Sequence, residues 1–176
     1  SIVIPETGEV LESLFLCLPH EENTNQEAND ISTALQSVSI TESKNTLPPI
    51  RLFRRTGVLQ FSLHAIPKAI SNLKLELSFV PSSVSFSGST TNTFGTLTKP
   101  VDHQGKAMIR TFPTKKGEAT LSITYDEDNK SKRKIIPFSE AIDTNQIIHV
   151  DCNFPELTEG GIQGNGENLL QNGDFE

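Results

Sequence analysis

Tryptophan is absent from the 176 residues, and tyrosine occurs once, as Tyr125. A sugar-binding face built on broad amphipathic rings therefore has little to draw on. Alanine, the best helix former, numbers only 7, against 46 Ser, Thr and Asn, which compete with a helix for backbone hydrogen bonds. That imbalance disfavours a helical bundle. No apolar run approaches the ~20 residues that span a bilayer as a helix. Only two cysteines occur, Cys17 and Cys152, so the chain is no disulfide-dense miniprotein. At this length roughly two-thirds of the unfolded surface can be buried, and neither metal nor disulfide is needed for folding.

Basic residues are missing from both ends. Residues 1–43 hold eight acids and no Lys or Arg, and residues 139–176 repeat that count. All fifteen Lys and Arg lie in 44–138, beside six acids, and the whole chain carries a formal −7. An acidic–basic–acidic chain is either a nucleic-acid binder with masking ends or a fold whose ends lie beside its basic middle. The basic residues are spread over several strands without aromatic partners, which favours the second reading and no nucleic-acid partner. Lys115 and Lys116, with Lys130, Lys132, Arg133 and Lys134, flank one hairpin. They form a candidate basic contact patch, the alternative being a solvated strand face that discourages edge-to-edge aggregation.

What is present alternates. Val58–Leu63 places Leu59, Phe61 and Leu63 on one face, and Leu73–Phe79 has strict period two with four apolar residues inward. Further strands are expected at Glu9–Leu18, Lys106–Phe112, Ala119–Tyr125 and Lys132–Phe138. The last begins at Gln146, with Ile148, Val150, Cys152 and Phe154 on one face. A short strand is expected at Ser37–Ile40, and Val84 and Phe86 lie in a short extended piece. Asp126–Asn129 reads as the four- or five-residue loop of a hairpin. His20–Asp30 reads as loop, Ile31–Leu35 as a short helix, and Gly88–Gly95 as a Ser/Thr/Asn loop. About seven or eight strands with regular turn signals predict an all-β antiparallel sandwich, each sheet with one wet face.

The chemistry-bearing residues form no motif. His20, His64, His103 and His149 make no HExxH, and no GxSxG occurs. Asp126–Asn129 starts like a calcium loop, but Ser131 and Pro137 stand where an EF-hand needs Gly and Glu. No CxxC and no Cys/His pair at metal-ligand spacing is present. Cys17 and Cys152 are either two buried free thiols or, if the first and last strands are neighbours, a disulfide. These residues predict no catalytic, metal or cofactor site. Glycine-rich 156–167 reads as a linker, and 168–176 as the first strand of a further domain. The chain thus reads as a domain over 1–155 cut from a longer protein.

Four stretches carry a resemblance. They are Pro48-Pro49-Ile50-Arg51-Leu52-Phe53-Arg54-Arg55-Thr56-Gly57-Val58-Leu59 with Ile70-Ser71-Asn72-Leu73, then Gly117–Asp126, then Thr144-Asn145-Gln146–Phe154. Their order resembles the fimbrillin-like proteins of the Bacteroidales, of the anchor and accessory type, over roughly 36–154. The resemblance implies a transthyretin-like, Greek-key β-sandwich at the cell surface, usually in an outer-membrane lipoprotein. It also implies fimbrial anchoring, assembly or adhesion without catalysis or cofactor. The partners implied are other fimbrial or surface proteins, and the membrane is met only through a lipid anchor elsewhere. In polymerising members a protease cuts after Arg or Lys in the loop following the first strand. No Lys or Arg precedes Lys44, so the resemblance points to an unprocessed anchor, cap or stand-alone module. Asn168-Leu169-Leu170-Gln171-Asn172-Gly173-Asp174-Phe175-Glu176 resembles the opening strand of jelly-roll carbohydrate-binding modules, which implies glycan binding by a downstream domain. A glycan-binding accessory module of a surface polysaccharide-capture system is the alternative expectation. Ser1–Leu18, acidic and apolar, is the expected movable or edge strand.

Overall fold

The computed structural model describes residues 15–17, 20–21, 24–25, 28, 30–34, 49 and 51–160. The expected strand at Ser37–Ile40 and the stretch 161–176 lie outside the described residues. The chain is all-β. Its strands are β1 (Phe15–Cys17), β2 (His20–Glu21), β3 (Thr24–Asn25), β4 (Ser32–Thr33), β5 (Phe53–Arg54), β6 (Gly57–His64) and β7 (Ser71–Pro81). They continue as β8 (Ser83–Ser85), β9 (Phe94–Pro100), β10 (Lys106–Thr111), β11 (Thr120–Glu127), β12 (Lys130–Ile136), β13 (Ile147–Asn153) and β14 (Thr158–Gly160). Seven of these, β6, β7 and β9–β13, run six residues or more and form the framework.

Two sheets enclose the core. One has the order β14-β12-β11-β7-β9-β3-β2, the other β10-β6-β13. The registers align apolar side chains into rows. Ile136, Leu121, Leu77 and Leu97 lie opposite one another across β12, β11, β7 and β9, each at most 2% exposed. In the smaller sheet Leu59 lies between Ile109 and Ile148, and Phe61 between Ala107 and Val150. Each full burial of such a side chain is worth about 1.5–3 kcal/mol. The alternation of Val58–Leu63 and of Gln146–Phe154 is realised: Leu59, Phe61, Leu63 and Phe154 are buried, while Ile148, Val150 and Cys152 pack partly buried against the core.

The structure departs from the alternation in several places. Phe79, expected inward, is 43% exposed. The ladder between β7 and β9 shifts register between Ser78 and Val80, and Phe79 takes a φ of 59°. This bulge turns Phe79 out and brings Val80, at 0% exposure, into the core. The outer face of β11 is not wet. Ser122 is fully buried because the Arg133 guanidinium lies over it, donating to its Oγ from Nε at 3.0 Å and from the terminal nitrogen at 2.8 Å. The β11–β12 hairpin closes on two residues, Asp128 and Asn129, both with positive φ as a type I′ turn requires. β13 pairs with β6 in parallel, so the sandwich is not wholly antiparallel.

The expected helix at Ile31–Leu35 is replaced over Ser32–Thr33 by β4, which pairs with β5. Buried Thr33 uses its hydroxyl across the fold: Oγ1 donates to the Phe86 carbonyl at 3.0 Å and accepts from Arg55 Nε at 2.6 Å. Long-range partners outweigh a weak local helix preference here. The expected loop His20–Asp30 contains β2 and β3 at one end of the larger sheet. β9 has a faint period-two signal in the sequence, since only Leu97 of its seven residues is fully buried.

Paired structure also runs past 155, the expected end of the domain. A single helical turn at Phe154–Glu156 leads into β14, which pairs with β12. Leu157 packs into the core there at 6% exposure.

Candidate functional site

β8 takes its strand partner from the first described strand, far from it in sequence. Its three residues, Ser83, Val84 and Ser85, are all buried. On one edge the chain returns alongside it. The Ser85 N–H donates to the Ser89 carbonyl at 2.8 Å and the Thr91 N–H to the Ser83 carbonyl at 3.2 Å, and Val84 lies opposite Thr90. Side chains reinforce that return through the Ser83–Thr91 hydroxyl pair at 2.9 Å and the Ser89 N–H bond to Ser85 Oγ at 2.9 Å. Backbone groups alternate in direction along a strand, so the N–H and C=O of Val84 face the opposite edge.

That edge is occupied by β1. Phe15, Leu16 and Cys17 lie opposite Ser85, Val84 and Ser83, and β1 and β8 form a two-stranded sheet of their own. Leu16 packs partly buried against the core, while Phe15 and Cys17 are exposed. A three-residue ladder and one apolar side chain thus cover a fully buried valine. Sequence periodicity marks Val84 only as extended; its dependence on residues 15–17 is a long-range pairing with no local signal.

The six cations of the expected basic patch do not come together. Lys115 and Lys116 precede β11, at the Ile136 end of the hairpin, while Lys130 sits at its turn. At ~3.4 Å per residue the strand length holds them roughly 20 Å apart. The other three have contacts of their own within the fold. Lys132 Nζ binds Glu127 at 2.6 Å, and Arg133 lies 3.7 Å from Glu76 besides its bonds to Ser122. Lys134 is 8% exposed. Its Nζ donates to the carbonyls of Phe154 at 3.3 Å and Leu157 at 3.2 Å, and lies 4.6 Å from the centre of the Phe154 ring. Lys134 is therefore a clip that fastens the Phe154–Leu157 turn to β12. Replacing it with alanine is expected to cost about 1–3 kcal/mol in urea unfolding, with faster amide exchange at Leu157. An unchanged unfolding midpoint contradicts the clip.

The two thiols are free and lie on different strand pairs, Cys17 opposite Ser83 and Cys152 opposite Leu63. Cys152 is half-buried, and burial first, then the negative charges of Asp151 and Glu156, push its pKa up to about 11. At pH 8 only roughly one molecule in a thousand then carries the Cys152 thiolate. Iodoacetamide at pH 8 is expected to label Cys17 well before Cys152, as mass spectrometry of the peptides would read. Equal rates contradict this assignment.

Two further polar pairs are structural. Asp126 accepts a hydrogen bond from Asn72 Nδ2 at 2.6 Å, and exposed His64 pairs with Asp151 at 2.9 Å. His149 stands on the solvent side of β13, as the alternation predicts. Among the described residues no three His, Cys, Asp or Glu side chains gather as a metal cluster. Also among them, no helix is long and apolar enough to cross a membrane.

No family model and no curated protein matches the chain. A solved structure from Bacteroides ovatus, described as a "putative adhesin", is similar. Identity is 14% and the TM-score 0.45, over 70% of this chain and 44% of that one. The chain spans less than half the length of that protein. At this distance the likeness assigns no role.

Proposed function

We propose that the domain is a non-enzymatic structural and adhesion module of the cell surface, a fimbrial anchor or accessory subunit. It joins other surface proteins by β-strand complementation. The observation that carries this reading is the β1–β8 pairing. The three-residue strand β1 covers the backbone of Val84, itself 0% exposed, and of its side chains only Leu16 packs against the core. A slot of this kind takes an extended segment by main-chain hydrogen bonds, which give affinity, and by a pocket for one side chain, which gives selectivity. The resemblance to fimbrillin-like anchors supports the same reading, as does the lack of Lys and Arg before Lys44.

Deleting residues 1–18 tests it. The truncated protein is expected to stay folded, to bind an apolar dye more strongly and to self-associate through the uncovered edge. Unchanged dye binding and an unchanged melting temperature would sink the proposal.

A further inference from the structure

Beside β5 a hollow of about 430 Å³ opens between 51–55 and 144–145. Arg51, Arg54 and Arg55 line it, and none of its lining residues is acidic. The three guanidinium groups are committed differently. Arg54 pairs with Asp30 at 2.9 Å and donates to Asn145 Oδ1 at 3.1 Å. Arg55 is fixed by neutral acceptors, Thr33 Oγ1 at 2.6 Å and the Phe86 carbonyl at 2.7 Å, so among the described residues its charge has no counter-ion. Arg51 rests on an aromatic ring, its Cζ 5.2 Å from the centre of Phe53, with the Arg55 Cζ at 5.8 Å. Among the described residues, then, three positive charges meet one carboxylate. The apolar wall of the same hollow is open to water, Leu52 being 66% and Phe53 47% exposed.

We propose that this hollow is a docking site for an acidic peptide segment of a partner protein. Its carboxylates pair with Arg51 and share the fixed charge of Arg55, and an apolar side chain of the segment lies on Leu52 and Phe53. Charge complementarity selects the anion: the planar guanidinium fork matches a carboxylate, and stacking on Phe53 holds the Arg51 fork ready. The backbone selects a peptide over other polyanions. β5 pairs with β4 on one edge and, among the described residues, with no strand on the other. An extended main chain finds hydrogen-bonding groups there that a polyuronate cannot match in register. In an extended segment, residues two apart share a face about 7 Å apart, so alternating acids all face the arginines.

This site uses residues other than those of the β8 slot, so each proposal can fail alone. The test titrates the intact chain, labelled with ¹⁵N, with a short capped peptide alternating glutamate and leucine. The same peptide with glutamine, and an oligogalacturonate, serve as comparisons. The expected result is binding of the glutamate peptide that shifts the amides of 51–55 and 144–145 and weakens with added salt. Arg51→Glu, at an exposed position, should weaken it roughly tenfold, and Arg51→Lys less. The amide spectrum of each variant reports that the fold is kept. Equal binding of the glutamine peptide, tighter binding of the oligogalacturonate, or an Arg51→Glu affinity matching the parent protein would each overturn the proposal.

Discussion

Leu121→Ala is expected to lower the unfolding free energy by about 2–5 kcal/mol, the range for truncating a buried leucine. Leu121 is fully buried and stands in the row between Ile136 and Leu77. Both neighbours are held in ladders, so the space left by the side chain cannot close cheaply. Urea unfolding followed by Tyr125 fluorescence measures the loss. Deleting residues 1–18 should cost less than this one truncation, since among the described residues of that segment only Leu16 touches the core. The contrast is the physical condition for exchange: the core must outlast the departure of β1. A deletion that unfolds the chain while Leu121→Ala is tolerated reverses the expected order.

Gly57→Ala is expected to destabilise the fold by about 1–3 kcal/mol or more, through overpacking against main chain. Gly57 opens β6 opposite Thr111, and a Cβ there would run into the Asp143 carbonyl oxygen and come within 2.7 Å of Ile142 Cγ2. The close approach has a purpose. It seats 142–145 against the start of β6, where the Asn145 N–H donates to the Thr56 carbonyl at 2.8 Å. Asn145 in turn receives Arg54 at the edge of the β5 hollow. The variant should therefore lower the melting temperature and also broaden the amide signals of 144–145. A melting temperature equal to that of the parent protein contradicts the tight contact.

Where side chains alternate and one face is buried, sequence and structure agree. β6, β11 and β13 stand within a residue or two of their expected bounds, because period two leaves one register that turns Leu59, Leu121 or Ile148 toward the core. Disagreement begins where distant partners decide. Phe79 turns outward because a bulge shifts the pairing of β7 with β9, and β4 forms because Thr33 meets Arg55 and Phe86. The cations from Lys115 to Lys134 stand apart for a related reason. Closeness in sequence does not survive a hairpin, whose length parts its two ends, and strand alternation turned Lys134 toward Phe154. The β5 hollow had a local trace, three arginines and a phenylalanine within 51–55, but its far wall at 144–145 is brought in only by the fold. The β8 slot left no trace, since nothing in Ser83–Ser85 records that its partner lies near residue 16.

Strand exchange at β8 is the central claim, and hydrogen exchange at Val84 tests it most directly. The protein lacking residues 1–18 is compared with and without an added synthetic peptide of that sequence, read by mass spectrometry over 83–85. Deletion should speed exchange at Val84, whose N–H faces β1. Saturating peptide should restore the protection of the intact chain, while a peptide carrying Leu16→Asp should not. Full protection of Val84 in the truncated protein, or no response to the peptide, would contradict strand complementation.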